Sequence, residues 1–364
     1  MALPNVDPSL YDAQLVDKKT AIENQFAEFE LPTIEVFESA RTAYRLRAEF
    51  RVWHEGDDLF YAMFKPGSKN EPLRLDSCPM VSETIQAVMF KLLDEIRPNE
   101  LLRRRLFQID FLSTLSGELL ISLLYHKPLD DAWTAEARAL KEKFSCDIIG
   151  RSRKTKIALD RDFAIEKMHI DGRELIYKQV ENSFTQPNGT VCQHMLQWAL
   201  DITRGAGGDL VELYCGNGNF TLALAPNFNA VIATEIAKVS VRAAEYNIAA
   251  NNIDNVKVLR MSSEEFSQAL QGTREFRRLQ ENNVDLSHYD FSTVLVDPPR
   301  SGLDDETVKQ VAEYNNIVYI SCNPDTLVDN LLLLTQTHRI ERFAMFDQFP
   351  YTHHLECGVY LTRK

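Results

Sequence analysis

The sequence predicts an α/β protein in two parts, a doubly wound C-terminal half and a smaller α+β N-terminal half. Three observations carry this. From about Gln186 onward, short apolar runs alternate with helical stretches at the spacing of a parallel sheet covered on both faces. Before that point, hairpin-like pairs of runs alternate with helices. The last two runs, Glu341–Phe346 and Leu355–Leu361, lie too close together to admit a helix, so they are expected to pair antiparallel at the end of the sheet. The domain boundary is set between residues 184 and 185.

Taken in order, residues 8–30 read as a helix, with apolar positions at helical spacing. Tyr44–Trp53 alternates apolar and polar like a half-buried strand, and Asp58–Phe64 is its hairpin partner. Ser82–Leu102 is helical. Gln108–Thr114 and Glu118–Tyr125 form a second hairpin across Ser-Gly, and Asp130–Phe144 is again helical. Cys146–Gly150 and Lys154–Asp160 are extended. The N-terminal half is thus an antiparallel sheet with helices on one face, the other face being open for binding. In the C-terminal half the expected strands are Asp209–Tyr214, Ala230–Thr234, Val256–Arg260, Thr293–Val296 and Ile317–Ser321.

Composition narrows the function classes. A chain of 364 residues with 45% hydrophobic and 26% charged residues is globular rather than disordered or fibrous. No apolar run is long enough to span a bilayer, so no membrane partner is expected. The first residues, MALPNVDPSLYDAQ, have neither a basic stretch nor an apolar one of the secretory kind, and the expected location is the cytoplasm. The net charge of −13 disfavours nucleic-acid binding by bulk charge and leaves it to a local patch. The six cysteines form no C-x-x-C pair, which removes zinc ribbons and iron–sulfur clusters; a disulfide framework is not expected either.

The strand ending at Tyr214 runs into Cys215-Gly-Asn-Gly-Asn-Phe220 and then a helix. Gly216 and Gly218 allow a tight turn and close approach of a ligand at a helix N-terminus. A dinucleotide fingerprint requires a third glycine where Thr221 stands. The pattern Glu-x-x-x-Gly-x-Gly fits S-adenosylmethionine better. Glu235, ending the next strand, can accept from both ribose hydroxyls of such a ligand. An ordinary strand–turn–helix remains the plain alternative for this loop.

Three further segments fall where ligands bind in open α/β sheets, at strand C-terminal ends. In Val296-Asp-Pro-Pro-Arg-Ser-Gly302, Asp297 can face the cofactor while the prolines shape a flat slot. Arg300 stands where amino-group methyltransferases carry an aromatic ring, which argues against that chemistry. In Ser321-Cys-Asn-Pro324, Cys322 is a candidate nucleophile, with a buried strand cysteine as the plain alternative. In Pro350-Tyr-Thr-His-His-Leu-Glu-Cys-Gly358, Glu356 is a candidate general base. His353 and His354 point to opposite faces of an extended chain, so a metal is not expected; a structural or substrate-positioning role is. A thiol, a carboxylate and a sulfonium together suit methylation at C5 of a pyrimidine. Thiolate addition to C6 makes C5 nucleophilic, and a base then removes the C5 proton.

The runs LYCGNGNF (213–220), VDPPRSG (296–302), SCNP (321–324) and HHLECG (353–358) resemble those of the RNA 5-methyluridine methyltransferases, and the likeness covers nearly the whole chain. The resemblance implies a class I, Rossmann-like methyltransferase domain (185–364) with an antiparallel last strand, and an RNA-binding domain (1–184). It implies transfer of a methyl group from S-adenosylmethionine to C5 of the T-loop uridine of tRNA, position 54, and of the tRNA-like part of tmRNA. Cys322 is then the nucleophile and Glu356 the base. Gln186, Tyr214, Asn219, Glu235 and Asp297, with Gly216 and Gly218, are then the cofactor contacts; Gln186 enters only through the resemblance. Ribosomal-RNA members of the family usually carry an iron–sulfur cysteine cluster that this chain lacks, which favours tRNA. Candidate RNA contacts are Arg47, Arg51, Phe107 and Arg300, and a monomer is expected. The same reaction on rRNA, and an RNA-folding factor with secondary catalysis, stay open as alternatives.

Overall fold

The structure, a computed structural model, describes residues 6–64 and 71–364; residues 1–5 of the N-terminal stretch read above lie outside them. The chain begins with helix α1 (Tyr11–Gln25) and strand β1 (Ile34–Phe37). Two compact units follow from the contacts: residues 6–8, 40–64, 71–167 and 179–189 form one, and residues 9–39, 168–178 and 190–364 form the other.

The first unit is built on a seven-stranded sheet of β2 (Arg47–Glu55), β3 (Asp58–Phe64), β4 (Pro72–Arg74), β5 (Leu106–Ser113), β6 (Leu119–Tyr125), β7 (Asp147–Ser152) and β8 (Thr155–Ala158). Their order is β4-β3-β2-β5-β6-β7-β8. Both expected hairpins are present. The sheet is not wholly antiparallel, because β6 pairs with β7 in parallel. The helix between them, α4 (Asp131–Phe144), makes the crossover that parallel pairing requires. The expected helix over 82–102 breaks into α2 (Glu83–Ile96) and α3 (Glu100–Arg103). Ser82 caps the first piece, and Pro98, which cannot donate to a helical ladder, separates the two. A hairpin of β9 (Phe163–Ile170) and β10 (Arg173–Val180) follows, and its residues 168–178 belong to the second unit.

The second unit holds an eight-stranded sheet in the order β1-β16-β17-β15-β14-β11-β12-β13. Its strands are β11 (Asp209–Leu213), β12 (Val231–Thr234), β13 (Val256–Leu259), β14 (Phe291–Val296), β15 (Asn316–Ser321), β16 (His338–Phe346) and β17 (Glu356–Arg363). Alternate residues enter different cores, as a sheet covered on both faces demands. Leu295, Val318 and Ile320 pack into one core, while Val294, Val296, Ile317 and Tyr319 pack into the other.

The antiparallel pair was expected at the sheet's end, and here the structure differs. β17 lies between β15 and β16, antiparallel to both, and β1 pairs in parallel with β16 at the edge. The 184/185 division is corrected in the same way. Tyr11, Leu15, Ile22 and Phe26 of α1 share a core with Phe343 and Met345 of β16, so the N-terminal segment belongs to the sheet of the second unit. Its apolar side chains are buried there: Tyr11 and Phe26 are 0% exposed.

Candidate active site

Strand register assembles the site. Leu213 is in register with Thr234 of β12 and Val296 of β14. One residue further on, all three strands end, at Tyr214, Glu235 and Asp297. Cys322 follows the end of β15, and Glu356 starts β17. The antiparallel course of β17 brings its first residue to the edge where its neighbours β15 and β16 finish.

The loop after β11 has the backbone that the two glycines predict. Gly216 and Gly218 have φ +57° and +83°, and Tyr214 shares the left-handed region at +64°. That conformation is costly for a non-glycine residue and is held by its surroundings. The Tyr214 hydroxyl is 3.0 Å from Ser263 Oγ. A Cβ at Gly218 would stand 2.8 Å from Leu222 Cδ1, whereas one at Gly216 would meet open space. Glu235 ties the loop to the next strand: its carboxylate accepts from the Gly216 amide at 3.1 Å and the Ala237 amide at 2.6 Å. Asn219 begins helix α6 (Asn219–Leu224), with its amide directed to Cys192 Sγ at 3.5 Å.

Thr221, the residue that replaces a third glycine, donates to Glu212 at 2.5 Å. Burial pushes the Glu212 carboxyl up to about 8, so it is neutral at pH 7 and acts as a core tie between β11 and α6.

The Asp297-Pro-Pro-Arg-Ser-Gly loop is pinned from beneath. Asn330 accepts from the Leu303 amide at 3.0 Å and from the Tyr319 hydroxyl at 2.7 Å, and donates back to the Leu303 carbonyl at 3.1 Å. The carbonyl of Arg300 accepts from Asn323 Nδ2 at 2.9 Å. The residue after Cys322 is thereby joined to the arginine loop.

Electrostatically the edge is acidic. Glu356 is 3% exposed and its Oε2 has no hydrogen-bond partner. Burial, reinforced by Asp297, holds its carboxyl well above the ordinary carboxylate range; Arg300 opposes this. Burial also raises Asp297. The Cys322 thiol is pushed up to about 11 by burial and the carboxylates of Glu356 and Asp297, with Arg300 pulling it down. Cys322 is half-buried, while the other five cysteines are buried.

A sequence profile of the tRNA (uracil-5-)-methyltransferase family matches residues 10–364. A relative from Vibrio vulnificus (strain YJ016), named tRNA/tmRNA (uracil-C(5))-methyltransferase, is 56% identical over the full length of both chains. The chain belongs to the tRNA (uracil-5-)-methyltransferase family. A Shewanella amazonensis protein of the same name is 58% identical over 99% of both chains. In fold, this family member is similar to a Pyrococcus abyssi tRNA (uracil-54, C5)-methyltransferase solved with S-adenosyl-L-homocysteine. The TM-score is 0.72 at 21% identity, covering 97% of this chain and 83% of that one.

The remaining predicted residues lie in the first unit. Gln186 is 9% exposed, and its Oε1 is buried with no partner. Arg51 is exposed on β2 and lies over the Phe107 ring, 5.6 Å from its centroid. Phe107 stacks on His126 at 3.9 Å and 8°. This stack borders a groove of about 700 Å³ that also includes Lys127, Arg153 and Lys154. Arg47 is differently engaged: it donates to the Ser183 carbonyl at 2.6 Å and to Glu49 at 3.3 Å. It braces its own unit, and the exposed cation of that strand is Arg51.

Sequence reasoning missed Lys18 and Asp347. Lys18 Nζ is buried against Asp347 at 2.6 Å and also donates to the carbonyls of Phe349 and His354 at 2.9 and 3.1 Å. Among the described residues no helix is long and apolar enough to cross a membrane, and no group of three or more His, Cys, Asp or Glu side chains is arranged to hold a metal ion.

Proposed function

We propose that this protein methylates C5 of the T-loop uridine of tRNA, position 54, and of the tRNA-like part of tmRNA, with S-adenosylmethionine as donor. The observation that supports the reading is that Cys322 and Glu356 each adjoin the Ser321–Cys357 pair at one sheet end, the carboxylate having an oxygen with no internal partner. We assign the activity to the cytoplasm, with the protein acting as a monomer.

The residues at the loop fit the donor. Glu235 has the position to accept from ribose hydroxyls, Gly216 leaves open space, and Tyr214, Gly218, Asn219 and Asp297 surround the same loop. Gln186, in the other unit, is assigned to the donor through the family resemblance alone; its Oε1 is a buried acceptor with no partner. When bound, S-adenosylmethionine supplies an electrophilic methyl on a sulfonium, and the carboxylates at the edge complement that positive charge.

Cys322 Sγ, once deprotonated, attacks C6 of the uracil, and the C5–C6 π electrons move into the ring as an enolate. That enolate is nucleophilic at C5, where a sulfonium methyl held by the loop would be taken up with the donor leaving as a neutral thioether. Glu356 accepts the proton from C5. The electrons of that C–H bond restore the C5=C6 double bond, and the thiolate leaves C6. Arg300 favours the thiolate at the start and at the end.

The uridine must leave its loop to reach Cys322. Arg51, Phe107, Arg153 and Lys154 supply stacking and phosphate contacts on the first unit, which compensates locally for the net negative charge. Glu356→Gln tests the assignment. With tRNA and S-adenosylmethionine it is expected to accumulate a methylated protein–RNA adduct that survives denaturing electrophoresis. Absence of adduct, with RNA and donor both bound, would remove Glu356 as the base.

A further inference from the structure

We propose that His354 is a positioning residue for the nucleophile: it holds the Arg300 guanidinium against Cys322, and it is itself fixed by Lys18 of α1. The proposal rests on the reading of Cys322 as nucleophile.

Arg300 Nη2 is 2.7 Å from His354 Nδ1. A guanidinium has donors only, so His354 must accept, and its ring must be neutral with a free lone pair on Nδ1. The groups facing the ring agree with this: burial, Arg300, His353 and Lys18 all lower its pKa. The other end of Arg300 is tied to the nucleophile's own turn, its carbonyl accepting from Asn323 Nδ2 at 2.9 Å and Thr326 Oγ1 at 3.4 Å. Backbone and side chain of Arg300 are therefore both fixed, and the guanidinium is the cation that opposes the burial and the carboxylates raising the Cys322 thiol.

His354 is held in turn. Its amide donates to Thr352 Oγ1 at 3.2 Å, and its ring packs edge-on to Phe349 at 6.0 Å. Lys18 Nζ donates to the carbonyls of His354 and Phe349 and to Asp347, which accounts for its three protons. One ammonium from the N-terminal helix thus clasps both ends of the segment that leads into Glu356. A thiol ringed by two carboxylates needs a cation in a fixed place, and this chain supplies one through a neutral imidazole.

The test is the pH dependence of Cys322 alkylation by iodoacetamide in the full-length protein, read by mass spectrometry of the Cys322 peptide. His354→Ala is expected to move the midpoint upward by roughly one pH unit, the size of a single charge contact, and to lower kcat about tenfold. The KM for S-adenosylmethionine stays unchanged. His354→Gln, whose Oε1 keeps an acceptor, is expected to restore kcat to within about threefold of the parent and to return the midpoint. An unmoved midpoint in His354→Ala would overturn the proposal, as would a Gln variant no better than Ala. A Cys322→Ala protein that still turns over would instead overturn the nucleophile assignment beneath it, because the alkylation profile is measured without catalysis.

Discussion

Cys322 and Glu356 each lie one residue from the same cross-strand pair. Ser321, the last residue of β15, is opposite Cys357 of antiparallel β17. Backbone pairing of β15 with β17 thus brings the chain positions of the proposed nucleophile and base to one end of the sheet.

The pair's electrostatics predict a pH profile. Burial raises the Glu356 carboxyl above its usual range, so it is neutral in acid and ionises only as pH rises. A base must be ionised to accept a proton. The rate constant for adduct breakdown is therefore expected to keep rising with pH above the ordinary carboxylate range in single-turnover quench experiments. A rate constant that has already levelled off at the ordinary Glu value, about 4.3, would contradict this.

Gly218→Ala should damage the cofactor loop. Its φ of +83° is strained for alanine, and the new Cβ would stand 2.8 Å from Leu222 Cδ1. A loss of about 1–3 kcal/mol in stability is expected, with weaker S-adenosylmethionine binding by calorimetry. Gly216→Ala, where the same Cβ meets open space, should lose less stability in the same melts.

Arg51→Glu should weaken tRNA binding and leave S-adenosylmethionine binding alone. Arg51 is exposed over Phe107, and neither residue is among those assigned to the cofactor. Filter binding across a salt series should show lower affinity and a shallower salt slope. Arg47→Glu should act mainly on thermal stability, because that guanidinium is bonded to the Ser183 carbonyl.

Stability should fall as pH rises through neutrality. Glu212 is raised to about 8 by burial, so the fold favours its protonated form. For a folded-state pKa above the unfolded value, stability is greatest below the unfolded value, near 4.3. It declines as pH climbs toward 8 and levels off above. Melting temperatures from pH 5.5 to 8.5 should drop, and Glu212→Gln should flatten the curve. An unchanged slope in that variant would assign the drop elsewhere.

Lys18→Met should destabilise strongly. It leaves Asp347, 0% exposed, as a buried charge without its ammonium. Removing one partner of such a pair costs about 3–5 kcal/mol. Adding Asp347→Asn should recover much of that loss in chemical denaturation.

These residues also mark what was legible in the sequence. Strands β11, β12, β14 and β15 are buried on both faces, so they read as continuous apolar runs, and their ends located Glu235, Asp297 and Cys322. β1 was not legible: Ile34–Phe37 is four residues long, and its partner β16 lies about three hundred positions away. Lys18 was hidden for the same reason, since 329 positions separate it from Asp347 and no local pattern records the pairing. Arg47 and Arg51 look alike in an alternating strand. Only the fold reveals that one is bonded to a carbonyl and the other lies exposed over the half-buried Phe107 ring.

The most direct test is nucleoside mass spectrometry of an unmodified tRNA transcript incubated with the protein and S-adenosylmethionine carrying a labelled methyl group. Labelled 5-methyluridine mapping to position 54, formed by the parent protein and absent with Cys322→Ala, is the predicted result. No labelled 5-methyluridine from a protein that binds both ligands, or undiminished label from Cys322→Ala, would contradict it.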